Sequence, residues 1–264
     1  MIERRGKVAL VTGSATGLGK RIALDMAAQG YDLIVTYNRS KAKGEELAKQ
    51  IRSEGRRSLL VQGDVSRVEE CERMASAGLT HFGSVDVLVH AAGPYVFERK
   101  ELVDYSLEEW RMMMDGNLSS AFYLTRALLP AMRRQRWGRI IFFGFDRAST
   151  APGWRYRSAY GAAKTGLVSL TKSLALEEAA HGITVNMICP GVIMGKNKER
   201  SIGEVLSIKD EMTPIGRPVS GGDISRTVLF LTADEASALT GNVIQVTGGY
   251  DALTRSDEPI QPIE

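Results

Sequence analysis

Apolar positions along this chain gather into seven short runs: 8–12 (VALVT), 33–37 (LIVTY), 58–63 (SLLVQG), 85–90 (VDVLVH), 139–143 (RIIFF), 183–188 (ITVNMI) and 243–246 (VIQV). Runs this short, rich in Val and Ile and bounded by Gly and polar turns, predict strands. Between most of them lie helix-length stretches with amphipathic spacing, two of which span about 18–29 and 158–180. Ser66 with Glu69 and Ser106 with Glu109 place a hydroxyl three residues before a carboxylate, the pairing with which a helix start satisfies its own orphan amides. Strands alternating with helices imply crossover connections and a parallel sheet covered on both faces, a doubly wound α/β architecture of seven strands. No repeat, low-complexity tract or linker divides the chain, so one domain over 1–264 is expected. The polar stretch 194–213 is a candidate substrate lid, because it follows the sixth strand at its carboxyl end, and 251–264 reads as a tail.

Composition narrows the function classes. With 44% hydrophobic and 25% charged residues and a net charge of +3, the basic residues are interspersed with acids, which does not suggest nucleic acid. The densest basic cluster, Arg133, Arg134, Arg136 and Arg139, follows a helical pattern, where cations suit a helix C-terminus. Cys71 and Cys189 are far apart and lack neighbouring ligands, so neither a zinc site nor a disulfide framework is indicated and a cytoplasmic location is expected. No run approaches eighteen apolar residues, and the first residues turn polar too early for a signal segment, so no membrane association is expected.

The first strand runs into Thr12-Gly13-Ser14-Ala15-Thr16-Gly17-Leu18-Gly19 and then a helix. Gly13, Gly17 and Gly19 would allow a tight turn and close approach of a diphosphate to the positive helix end, with Ser14, Thr16 and Leu18 beside them. After the second strand, where a carboxylate would hydrogen-bond the ribose of NAD, the chain reads Asn38-Arg39-Ser40. With no acid to repel a phosphate, Arg39 and Ser40 can bind the 2′-phosphate of NADP(H), which favours that cofactor over NAD(H); a plain strand-to-helix turn with Ser40 as N-cap is the alternative. Tyr160 and Lys164 lie four apart in a helical pattern and so share one face. A phenol titrating near ~10 is a poor proton shuttle at neutral pH, and an adjacent ammonium together with a cofactor cation would be needed to lower it.

At these motifs the chain resembles the short-chain dehydrogenase/reductase family over nearly its whole length, as a Rossmann-type single domain. TGSATGLG is similar to the family's TGxxxGxG, and YGAAK to its YxxxK. Asp64-Val65 matches the pair that contacts adenine, and His90-Ala91-Ala92-Gly93 stands where the family has NNAG. Asn117 matches the active-site Asn, Pro190-Gly191-Val192-Ile193 the segment bordering the nicotinamide, and LTGNVIQVTGG the last strand. The resemblance implies that Tyr160 protonates a substrate carbonyl oxygen, that Lys164 binds the ribose and lowers the phenol pKa, and that Asn117 holds a relay water. It also implies a homodimer or homotetramer acting on a small-molecule or carrier-bound carbonyl substrate.

One element of the family pattern is missing. A Ser normally lies about thirteen residues before the Tyr, at the end of the fifth strand; here that region holds Phe145, Asp146 and Arg147, with an insertion of about two residues expected. Asp146, as in the pteridine reductases of the family, is the preferred substitute and Ser149 the second. Met194 stands where a hydroxyl often meets the carboxamide, and His90 is either a cofactor contact or a satisfied buried residue. Arg147, Arg155 and Arg157 suggest an anionic substrate such as a 3-oxoacyl thioester, with solvated arginines on a loop as the alternative. The competing expectation is a dinucleotide sensor that lost turnover with the Ser.

Overall fold

The computed structural model describes residues 6–250, and the 251–264 tail lies outside them. All seven expected strands form: β1 (Val8–Val11), β2 (Asp32–Tyr37), β3 (Ser58–Gln62), β4 (Val87–His90), β5 (Gly138–Phe143), β6 (Ile183–Pro190) and β7 (Val243–Val246). They make one parallel sheet in the order β3-β2-β1-β4-β5-β6-β7. The order reverses between β1 and β4, and ligands of open α/β sheets bind outside the strand ends at such a point.

The central strands are buried on both faces, which is why they read as continuous apolar runs, while the edge strands β3 and β7 are only partly buried. Successive residues alternate between two cores. Leu10, Ile34, Leu88 and Ile140 face one side, under helices α3 (Val68–Phe82), α5 (Ser120–Gln135) and α6 (Ser158–Glu178). Val11, Val35, Val89 and Ile141 face the other, under α1 (Gly17–Ala28), α2 (Lys41–Ser53) and α7 (Gly221–Thr232). The capping pair Ser106 and Glu109 forms reciprocally at the start of α4 (Leu107–Met114), at 3.1 and 3.0 Å. The pair expected at Ser66 and Glu69 does not. Ser66 donates to Asp64 Oδ1 at 2.7 Å and Glu70 accepts from the Asp64 amide at 2.7 Å, because α3 starts later and Asp64 organises the turn.

The basic cluster is structural. Arg133 forks onto the buried Glu178 at 2.8 and 2.5 Å, and Arg139 is itself buried, donating to the Gly138 and Gly182 carbonyls with Trp137 against its guanidinium. Among the described residues no helix is long and apolar enough to cross a membrane and no metal-binding cluster forms. Both cysteines are buried and free.

Candidate active site

The carboxyl end of β1 leads into the glycine turn, which is tied to β2 by Thr36. Its hydroxyl accepts from the Gly13 amide at 3.1 Å, and its amide donates to Ser14 Oγ at 2.9 Å. Gly13 and Gly17 have φ of +64° and +62°, a region open to glycine at little cost. A Cβ on Gly19 would lie 2.7 Å from the Gly13 carbonyl oxygen, so the helix can start this close to the turn only without a side chain. Ser14, expected to touch the cofactor, is fully buried with its hydroxyl on Thr36; its side chain holds the turn instead.

The same turn is joined to the Asn117 segment through His90. The Ala92 amide donates to Thr12 Oγ1 at 2.9 Å, leaving the Thr12 proton for His90 Nδ1, also at 2.9 Å. Ser120 donates to the Gly116 carbonyl at 2.9 Å, so it accepts from His90 Nε2–H at 2.8 Å. One proton per hydroxyl therefore fixes the neutral Nε2–H tautomer. Burial, reinforced by the nearby Lys164 charge, holds the imidazole neutral with its pKa down to about 3. Both ring nitrogens are thus committed within the protein, and the satisfied buried reading replaces His90 as a cofactor contact through its ring. Thr12, Thr36 and Ser120 were missed by sequence reasoning, since nothing in their spacing marks hydroxyls that meet only across the sheet.

Asn117 lies in a widened π turn (Asp115–Ser119) between α4 and α5. Its Nδ2 donates to the carbonyls of Pro94 and Met113, each at 3.0 Å, while its Oδ1 is buried without a partner. Any side chain on Gly93 would overlap that oxygen.

Tyr160 and Lys164 project from the first turns of α6 into a cavity of about 840 Å³. Leu18, Ala91, Gly93 and Asn117 line one side, and Pro190, Gly191, Val192 and Ile193 another. Lys164 is 4% exposed and its Nζ lies 5.7 Å from the Tyr160 ring centre. Burial lowers the Lys164 ammonium to about 8 and pushes the Tyr160 phenol above its ordinary value. The expected lowering of the phenol is therefore not reached by the lysine alone; desolvation wins.

Beside Tyr160, the loop from β5 to α6 forms an aromatic wall, with the Phe145 and Trp154 rings 6.2 and 6.0 Å from that of Tyr160. Phe145 packs on Trp154 at 4.9 Å between ring centres, and Tyr95 lies edge-on to Tyr160 at 5.0 Å. Asp146 lines the cavity and is 4% exposed, whereas Ser149 is exposed in a short turn away from it, which removes Ser149 as the substitute. The loop bends through Arg147, Ala151 and Tyr156 at positive φ, consistent with extra residues here. Arg157, expected to meet an anion, is instead a clamp: it donates to Tyr95 Oη and to the carbonyls of Phe97, Glu98 and Tyr156 at 2.6–2.8 Å. Arg99 and Arg155 flank the Tyr156 ring at 5.9 and 4.6 Å.

The remaining predicted residues lie outside this cavity. Asn38, Arg39 and Ser40 are exposed at the end of β2, and the Ser40 hydroxyl makes no capping bond to α2. Asp64 follows β3; burial raises its carboxyl, but hydrogen bonds from Ser66 and Asn38 outweigh this and hold it below the usual range. Val65 packs on the core, and Thr16 is the residue before α1. Of the 194–213 stretch, Met194, Gly195 and Lys198 reach the cavity.

Comparison with known proteins places this geometry. A family model described as enoyl-(acyl carrier protein) reductase matches residues 13–251. An oxidoreductase-named protein of Bacillus subtilis (strain 168), YtkK, is 46% identical over 249 residues, covering 94% of this chain and 98% of its own. The 3-oxoacyl-[acyl-carrier-protein] reductase FabG of Staphylococcus epidermidis is 37% identical, with 92% and 98% covered. A solved structure described as a 3-oxoacyl-reductase from Bacillus thuringiensis superposes with a TM-score of 0.87 at 44% identity, covering 94% of this chain and 99% of that one. The acetoin dehydrogenase of Enterobacter cloacae gives 0.85 at 29%, covering 97% and 100%. The family model spans most of the chain and the relatives cover nearly all of it at 46% and 37% identity, so the chain belongs to the short-chain dehydrogenase/reductase family of oxidoreductases, which use nicotinamide cofactors.

Proposed function

We propose that this chain is an NADP(H)-dependent carbonyl reductase forming an alcohol, and that 3-oxoacyl thioesters are the first substrates to try. The observation that carries this reading is the convergence of Tyr160, Lys164 and the unpartnered Asn117 Oδ1 on one cavity. The residues fit a nicotinamide dinucleotide: the turn at Gly13, Gly17 and Gly19 admits a diphosphate, and Arg39 and Ser40 leave the end of β2 open to a 2′-phosphate. Leu18, Ala91, Ala92, Gly93 and the 190–193 segment would border the ribose and nicotinamide, with Asn38, Asp64 and Val65 towards adenine. When bound, the reduced nicotinamide supplies the hydride.

The protein's own part is proton transfer. Burial keeps the phenol protonated but makes it a weaker acid, so Tyr160 would protonate the carbonyl oxygen only with the Lys164 ammonium and the cofactor cation stabilising the phenolate. The phenolate left behind is stabilised by the Lys164 ammonium, which at about 8 is mostly charged near neutrality. Asn117 Oδ1 would hold a water that returns the proton. Asp146 would orient the substrate from the place of the family's Ser. FabG of S. epidermidis supports the thioester class and the acetoin dehydrogenase of E. cloacae a small-ketone one. The enzyme is taken to be cytoplasmic and a homodimer or homotetramer; exposed Trp110, Phe122 and Phe230 offer apolar surface for such contacts.

The test is NADPH and NADH oxidation at 340 nm with acetoacetyl thioesters, diketones and a pterin, alongside titration of both cofactors. Turnover with NADPH is expected. Tight NADPH binding without turnover on any carbonyl would favour the sensor, for which the Phe145 wall in place of a Ser is the supporting observation.

A further inference from the structure

The glycine turn is held by a residue from far along the chain. The Gly17 amide donates to Glu199 Oε1 at 2.8 Å, and Glu199 Oε2 pairs with Lys20 Nζ at 3.1 Å. Gly17 is the first residue of α1, so this amide is one that no helical carbonyl can reach, at the positive end of the helix dipole. A carboxylate there is well placed electrostatically; despite partial burial, the Gly17 and Lys20 hydrogen bonds and the charges of Lys20 and Lys43 keep it below the usual carboxylate range.

The segment carrying Glu199 is a packed strap. The Gly222 amide donates to the Arg200 carbonyl at 2.9 Å, and a side chain on Gly221 would overlap the Lys198 carbonyl, so the strap is seated against the start of α7. Its other end opens on the reaction cavity through Met194, Gly195 and Lys198, and the Lys198 side chain passes within 3.8 Å of the Cβ position of Gly17. One short segment therefore touches both the turn and the site of chemistry.

We propose that Glu199 is a built-in anion that competes with the dinucleotide diphosphate for the start of α1, so that cofactor binding expels the carboxylate and transfers Lys20 from Glu199 to the diphosphate. This rests on the reading that the glycine turn binds a dinucleotide. The physical basis is that two anions cannot share one helix-end amide and one ammonium without strong repulsion. Glu199 thereby sets cofactor affinity without touching the reacting atoms. Because the strap also lines the reaction cavity, its release couples cofactor entry to the substrate side.

The test is fluorescence titration of NADPH against the unsubstituted chain, Glu199→Gln and Glu199→Ala. Displacement by adenosine 2′-monophosphate, which carries the adenosine and 2′-phosphate but no diphosphate, is measured beside it. Removing the charge is expected to tighten NADPH about tenfold, the size of a favourable helix-end charge, and to leave the monophosphate within about twofold. NADPH affinity unchanged or weakened in both variants overturns the proposal. So does an equal gain for the monophosphate, which would reflect a general field and not competition for one place. Binding of NADPH and NADH by none of the three proteins overturns the dinucleotide reading itself, whereas equal binding by all three overturns the Glu199 role alone. Thermal unfolding of each variant guards against loss of the fold.

Discussion

The two walls of the reaction cavity are built by different means. The wall at the ends of β1 and β4 is backbone and hydroxyls. Glycines admit no side chain at Gly19 and Gly93, and a single chain of hydrogen bonds runs from Ala92 through Thr12, His90 and Ser120 to Gly116. The wall between β5 and α6 is side chains: Phe145, Trp154 and Tyr156, on a loop with three non-glycine residues at positive φ and pinned by Arg157. Left-handed conformations at such residues cost on the order of 1–3 kcal/mol each and persist where surrounding contacts impose them. The first wall suits a ligand of constant shape, as a cofactor is; the second can be altered residue by residue and is where substrate choice would reside.

The largest expected effect lies where the walls meet. Tyr160→Phe should lower kcat/KM on the best substrate by about a thousandfold or more while NADPH affinity stays within a few-fold, because only the proton donor is removed. Comparable turnover in that variant would break the assignment. Lys164→Met should raise stability at pH 7 by up to roughly 3 kcal/mol while lowering activity, since the buried ammonium is depressed from 10.5 to about 8. The folded pKa lies below the unfolded one, so the wild type binds fewer protons when folded between pH 8 and 10.5 and gains stability as pH rises through that window. The advantage of the methionine variant is therefore full below pH 8 and gone above 10.5, which thermal melts across that range would show.

On the backbone wall, Gly93→Ala should cost about 1–3 kcal/mol in unfolding free energy, because its methyl meets Asn117 Oδ1. The matching change on the side-chain wall, Gly153→Ala, meets nothing within 4 Å and should leave the melting temperature unchanged or slightly raised. Equal destabilisation by the two would erase the contrast. The smallest change in overall rate is expected from Asp146→Ala, which should alter the ranking of substrates more than the rate on the best one. An unchanged ranking in a carbonyl panel would remove Asp146 from the site.

Much of this was legible from the chain alone, for identifiable reasons. Seven apolar runs named seven strands, the five central ones being buried on both faces, and the glycines at 13, 17 and 19 and the four-residue step from Tyr160 to Lys164 are local patterns set by backbone geometry. The misreadings share one cause, which is that sequence shows which groups a side chain carries but not how they are already engaged. Ser14 looked available and its hydroxyl is engaged by Thr36, and of the two readings open for His90 the satisfied one holds, through Thr12 and Ser120; Arg157 looked like an anion receptor and is spent on three carbonyls and Tyr95. Ser66 looked like a cap until Asp64 claimed it.

What the sequence by itself determined is therefore the sheet, its crossover helices and the placing of Tyr160 and Lys164 on one helix face, since these follow from periodicity and from residue spacing a few positions apart. The tertiary structure alone decided which hydroxyls fix the His90 tautomer, that burial raises the Tyr160 phenol, and that Glu199 reaches back across 182 residues to Gly17. These depend on burial and on distances between groups remote in the chain, and hydrogen bonds and desolvation act through space, without regard to sequence separation.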